Sequence, residues 1–208
     1  MPLAQLQKQG GSILALWHIA ETENELAFAS MEAVPEEILS PQKRLEYLAA
    51  RTLLKQVAEQ AGAEYIGVHK DEHGKPYLKN LPQQISLSHS FPYVAVQWHD
   101  TRPVGIDIEQ PKDKLLRVAT RVLAPAELVD AGNDVVKHCV YWCAKEAMYK
   151  LYGKRGLHFH SQLLVAPFSL SVEGRLQGTI LAGQTKQKAA LGYRVTKNYV
   201  LAFILPEE

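Results

Sequence analysis

The chain has 208 residues, enough for one large domain or two small ones with a real core and no covalent staples. With 47% hydrophobic and 22% charged residues it is an ordinary globular chain, which excludes a disordered chain and a disulfide scaffold. A net charge of +1, from 23 basic and 22 acidic residues, carries no global sign of a nucleic-acid or membrane binder, so any basic site must be local.

Met1 to Gly11 is polar. The short apolar run Ile13 to Ala20, with Trp17 and His18 inside it, reads as a strand and not as a signal segment or membrane span. Ser40-Pro41 opens a helix, as N-cap and first helical residue, that stops at Gly62. Its apolar side is Tyr47, Ala50, Leu54, Val57 and Ala61. Arg44, Arg51 and Lys55 share another side, which by itself reads as a solvated charged face. Short strands are expected at 64–69 and 76–79 around a turn at Glu72-His73-Gly74-Lys75, then at 84–88 and 93–98. Residues 104–109 form a further strand, and a second helix is bounded by Asn133 or Asp134 and by Gly153. Strand-like runs follow at 162–172, 178–182, 189–196 and 199–205. Cys139 and Cys143 sit four apart on the second helix, poorly placed for a disulfide and outside any zinc spacing, which implies a reducing, cytoplasmic setting.

The two halves echo each other. Ile38-Leu39-Ser40-Pro41 parallels Val122-Leu123-Ala124-Pro125, Leu48-Ala49-Ala50-Arg51 parallels Trp142-Cys143-Ala144-Lys145, and Tyr93-Val94-Ala95-Val96 parallels Tyr199-Val200-Leu201-Ala202. The shared order of strand, helix and hairpin points to an α+β fold of two similar halves, 1–101 and 102–208, joined in the polar stretch Asp100 to Pro103.

Four segments can carry chemistry. In Gly105-Ile106-Asp107-Ile108-Glu109 the period of a strand sends Asp107 and Glu109 to one face. Two such carboxylates repel unless a cation sits between them, and oxygen-only ligands suit magnesium. Alone, the pentapeptide reads first as a half-buried strand with a polar outer face. In Trp142-Cys-Ala-Lys145-Glu146-Ala-Met-Tyr-Lys150, residues 142, 145, 146, 149 and 150 fall to one side of a helix. Alone, Glu146 and Lys150 read as a surface i,i+4 pair. Ser86-Leu87-Ser88-His89-Ser90 offers hydroxyls and an imidazole to phosphate oxygens, or is a polar loop. His73-Gly74-Lys75-Pro76 holds Lys75 outward on a stiffened turn, or is an ordinary hairpin turn.

Together the four segments resemble the 4'-phosphopantetheinyl transferase superfamily, in its larger, surfactin-synthetase-activating type. Its members carry a GKP turn, an SHS segment, a G-I-D-I-E strand and a W-x-x-K-E-x-x-x-K helix in this order. Here these are Gly74-Lys75-Pro76, Ser88-His89-Ser90, Gly105 to Glu109, and Trp142, Lys145, Glu146 and Lys150. The resemblance implies an internal pseudo-dimer of two α+β halves related by a pseudo-two-fold axis, with coenzyme A in the cleft between them and no need of a partner subunit, hence a monomer. It implies transfer of the phosphopantetheine arm of coenzyme A to a serine of an acyl or peptidyl carrier protein, releasing adenosine 3',5'-bisphosphate. Nucleic acid and membrane play no part. Asp107, Glu109 and Glu146 match the acids that bind magnesium, with manganese as its substitute. Glu146 also matches the group that takes the serine proton, and the two roles stay open. Lys150 matches the lysine beside the reacting phosphate. Arg44, Arg51, Lys75, Ser88, His89 and Lys145 match residues that hold coenzyme A. Ile85-Ser86-Leu87 departs from the family's F-N-x, and Leu123-Ala124-Pro125-Ala126-Glu127 keeps only the glutamate of F-S-x-x-E.

Two other readings compete. One is a non-catalytic coenzyme A or carrier-protein binder on the same fold, which has no use for clustered carboxylates. The other is an unrelated magnesium-dependent phosphate enzyme, which needs the four motifs to coincide by chance.

Overall fold

Ile13, Ala15 and Trp17 alternate along the chain and are all buried, so the segment forms a strand with one face on a core. The computed structural model describes residues 3–205. Over these the chain divides into two compact units, one ending at Pro103 and the other beginning at Val104.

In the N-terminal unit, β1 (Leu3–Gln9) and β2 (Ser12–His18) form a hairpin, followed by α1 (Glu23–Ser30) and α2 (Pro41–Gln60). The pair β3 (Val68–Lys70) and β4 (Pro76–Leu78) precedes the hairpin of β5 (Gln84–Ser90) and β6 (Tyr93–His99). The main sheet is antiparallel with order β1-β2-β6-β5. Helix α2 lays Leu48, Ala49, Leu53, Leu54 and Val57 against Ile13, Trp17, Val94 and Trp98 of that sheet. Its buried side is wider than the expected stripe and includes Glu46 and Arg51.

In the C-terminal unit, β7 (Ile106–Glu109) leads to α3 (Lys114–Val122), α4 (Pro125–Ala131) and α5 (Val135–Tyr152). A short α6 (Phe159–Gln162) precedes β8 (Leu163–Val165), β9 (Glu173–Ala182), β10 (Thr185–Val195) and β11 (Val200–Ile204). The antiparallel sheet has order β7-β11-β10-β9-β8. Both units share a core pattern. An early strand (β2 or β7) pairs with the last strand (β6 or β11), which pairs with the strand before it, and the long helix packs on the set.

Helix α5 starts at Asp134, whose carboxylate accepts from the amides of Val136 (2.8 Å) and Lys137 (3.1 Å). It ends where Gly153 takes φ 71°, a left-handed conformation that glycine adopts without strain. Its packing on β7 depends on Gly105, because a Cβ there would lie 2.0 Å from the Ala147 carbonyl oxygen. The glycine lets strand and helix backbones touch, and that contact sets where the polar residues of both elements meet.

Several elements depart from expectation. β1, α1, α3 and α4 occupy stretches for which no element was expected. The run at 162–172 is strand only over β8, since Pro167 lacks the amide needed to extend the ladder. Among the described residues no helix is long and apolar enough to cross a membrane.

Candidate functional site

The polar cluster of the C-terminal unit grows from the β7–α5 contact. Ile106 and Ile108 are buried in the core, Asp107 is only 6% exposed, and Glu109 is half-buried. The Lys150 ammonium donates to Asp107 Oδ1 at 2.7 Å and to the Ile106 carbonyl at 2.8 Å, so it grips side chain and backbone of one strand. Glu146 stands one turn earlier. Burial first, and then the charge of Asp107, raises its carboxyl to about 7, against the opposing pull of Lys150. Glu109 pushes the same way. Three carboxylates therefore sense one another across β7 and α5. The Glu109 carboxylate accepts from the Gln110 amide at 2.8 Å and pairs with Lys114 at 3.3 Å. Among the described residues, no three His, Cys, Asp or Glu side chains form a group that could hold a metal ion.

Lys145, which the resemblance matches to a residue that holds coenzyme A, is not part of this cluster. Its side chain is fully buried and bonds to Glu127 Oε2 (2.6 Å), the Val122 carbonyl (2.9 Å) and the Phe159 carbonyl (3.0 Å). Three acceptors use all three donors of an ammonium, leaving none for a phosphate. Glu127 in turn accepts from the amides of Ala124 and Val165, both at 2.7 Å. This pair ties α3, α4, α5, α6 and β8 together. Neighbouring residues of a helix point about 100° apart, so Lys145 and Glu146 leave α5 on different sides.

In the N-terminal unit, Asp71 accepts from the amides of His73 (2.9 Å) and Lys75 (2.8 Å), which fixes the turn before β4. Lys75 is half-buried with its ammonium 5.9 Å from the Tyr77 ring centre, and burial lowers its pKa. Residues 84–90 are all strand, so the Ser-His-Ser segment is not a loop. Ser88 is buried and His89 exposed, as alternation along β5 requires. The arginines of α2 are not a solvated face. Arg44 makes a bidentate pair with Glu23 (closest approach 2.6 Å) and donates to the Ile38 carbonyl. Arg51 is 7% exposed, with its guanidinium 4.4 Å from the Tyr47 ring centre and Nε 3.3 Å from Glu32. Tyr47 and Tyr65 also donate to Glu32. Both arginines are thus held by carboxylates at either end of α1.

Glu46, Glu32 and Asp71 are not among the residues that the sequence motifs single out. Glu46 had a signal, because it lies seven residues before Leu53 and shares its buried side of α2. Its carboxyl is held down to about 2, where the cost of burial is outweighed by bonds from His89, Lys43 and Gln42.

Residues 103–204 match the family model described as the 4'-phosphopantetheinyl transferase superfamily. A Haemophilus influenzae protein is 31% identical over 121 residues, 53% of this chain and 50% of that protein. The 4'-phosphopantetheinyl transferase Sfp of Bacillus subtilis is 35% identical over 89 residues, 40% of this chain and 39% of its own length. Another Bacillus subtilis protein, named 4'-phosphopantetheinyl transferase, is 34% identical over 91 residues, 40% of this chain and 39% of its own. The chain spans half or less of the length of these relatives.

Proposed function

Since this chain belongs to the 4'-phosphopantetheinyl transferase superfamily through its C-terminal unit, we propose that it moves the phosphopantetheine arm of coenzyme A onto a serine of an acyl or peptidyl carrier protein. The observation that carries this reading is Glu146. A carboxyl raised to about 7 beside two acids and a lysine, within the matched unit, is suited to take up and give back a proton near neutral pH.

The serine hydroxyl oxygen attacks the β-phosphorus of coenzyme A, and the bond to adenosine 3',5'-bisphosphate breaks. Glu146 takes the serine proton, directly or through water. Lys150, steadied by Asp107 and the Ile106 carbonyl, offsets the charge that builds on the phosphoryl oxygens. Asp107, Glu109 and Glu146 offer the oxygen donors that a hard cation takes, and their charges act on one another, but as they stand the three do not form a group that holds a metal. When held there, magnesium or manganese would supply charge neutralisation to the pyrophosphate. Lys75, Ser88 and His89 bind coenzyme A phosphates. Arg44 and Arg51 join them only by exchanging Glu23 and Glu32 for phosphate. The two similar units make a monomer sufficient.

The test is to mix the protein with coenzyme A, magnesium and a panel of apo carrier proteins, and to read intact masses. A gain of one phosphopantetheine on a carrier, lost with EDTA, is the expected result. Coenzyme A binding without transfer to any carrier would favour a non-catalytic binder. No binding of coenzyme A would overturn the reading.

A further inference from the structure

Glu46 is the most deeply buried acid of the N-terminal unit, 1% exposed on α2. An isolated buried carboxylate is expensive, so its partners carry the explanation for its presence. Those partners are Lys43 Nζ (2.7 Å), Gln42 Nε2 (3.0 Å) and His89 Nδ1 (3.1 Å). Lys43 and Gln42 are exposed neighbours on the same helix. His89 comes from β5, with its side chain 42% exposed. The contact therefore runs from the interior outward to one imidazole. A carboxylate beside Nδ1 fixes a proton there and turns Nε2 to the far side of the ring.

From this geometry we propose that Glu46 is a positioning residue for anion binding, holding His89 with Nδ1–H directed inward and Nε2 presented outward. The role in binding coenzyme A rests on the proposed function; the ring's orientation does not. With Nδ1 donating to Glu46, a proton on Nε2 makes the ring a cationic donor, and the ionised Glu46 balances its charge. A phosphate then meets a donor of fixed direction. Without Glu46 the ring turns freely and the neutral form is free to place its proton on either nitrogen.

Two measurements test this. In the free protein, nitrogen NMR of the His89 ring should show the neutral form protonated on Nδ1. Glu46→Gln, which keeps an acceptor, should preserve that form, and Glu46→Ala should shift it toward Nε2–H. An unchanged tautomer in a folded Glu46→Ala protein overturns the proposal whatever the enzyme's substrate. In the transfer assay, Glu46→Ala should raise KM for coenzyme A about tenfold with kcat within about twofold, and Glu46→Gln should raise it about threefold. In a His89→Ala background neither change should add to the KM. An equal further rise there would show that Glu46 does not act through His89. If Glu46→Ala fails to fold, the Glu46→Gln cycle with His89→Ala still decides. Failure of the wild-type protein to bind coenzyme A would remove the function, while the NMR arm would still judge the ring.

Discussion

Lys145 and Lys150 stand on the same helix, five residues apart, and their surroundings could hardly differ more. Lys145 is sealed inside the C-terminal unit and saturated by one carboxylate and two carbonyls. Lys150 is half-buried and bound to Asp107 and the backbone of β7, beside a glutamate whose proton is poised near neutrality. One motif thus joins a residue that builds the fold to residues fit for chemistry. The i,i+5 spacing and the width of the β7–α5 seam decide which is which. The same division recurs in the N-terminal unit, where Arg51 is buried on Glu32 while Lys75 is half-buried on the turn before β4.

The comparison breaks first at Lys145. Lys145→Met leaves Glu127 buried without its counter-charge and should cost about 3–5 kcal/mol in urea unfolding. Replacing both partners, as in Glu127→Leu with Lys145→Met, should recover most of that loss. A single variant as stable as the wild type would return Lys145 to the list of ligand-binding groups. Gly105→Ala tests the seam itself. Its Cβ would lie 2.0 Å from the Ala147 carbonyl oxygen, so β7 and α5 must part, at a cost of about 1–3 kcal/mol together with transfer activity.

Lys150→Met takes the counter-charge from the nearly buried Asp107 and should cost about 1–3 kcal/mol in urea unfolding, less than Lys145→Met because Lys150 itself is only half-buried. Turnover should fall by two orders of magnitude or more, about the loss seen when one charge-stabilising donor is removed. A protein that unfolds as readily as Lys145→Met would erase the distinction. Glu146 adds a signature in pH. Its carboxyl sits higher in the folded protein than in the unfolded chain, so folding takes up a proton between the ordinary carboxylate range and about 7. This group's contribution to stability therefore declines as pH rises through that window. Unfolding measured from pH 5 to 8 should show that decline in the wild type and a flatter profile in Glu146→Gln, with added magnesium stabilising the wild type most at the upper end. The smallest effect belongs to Lys75→Ala, a severalfold rise in KM for coenzyme A with kcat nearly unchanged.

Much of the fold was legible because long elements announce themselves. Pro41 opens α2, Asp134 caps α5 and Gly153 ends it, and the alternation at 84–98 gives the β5–β6 hairpin. The missed helices had weaker but real signals. Thr22 and Glu25 form a capping box at the start of α1, and Leu115, Ala119 and Val122 mark the buried side of α3 at helical spacing. The site was legible as residue types and not as partners. A sequence shows Lys145 and Lys150 as equal charges. Only the packing of Glu127, Val122 and Phe159 around one of them, and of Asp107 and Ile106 against the other, tells them apart. The carboxylates that hold Arg44, Arg51 and His89 were hidden for the same reason, since each is distant in sequence from the base it binds.

The most direct test compares Glu146→Gln with the wild type in a single-turnover reaction with coenzyme A, magnesium and an apo carrier protein. Intact mass reports transfer, and circular dichroism on the same samples reports folding. The account predicts a folded variant that binds coenzyme A and leaves the carrier unmodified. Transfer at the wild-type rate by a folded Glu146→Gln protein would contradict it.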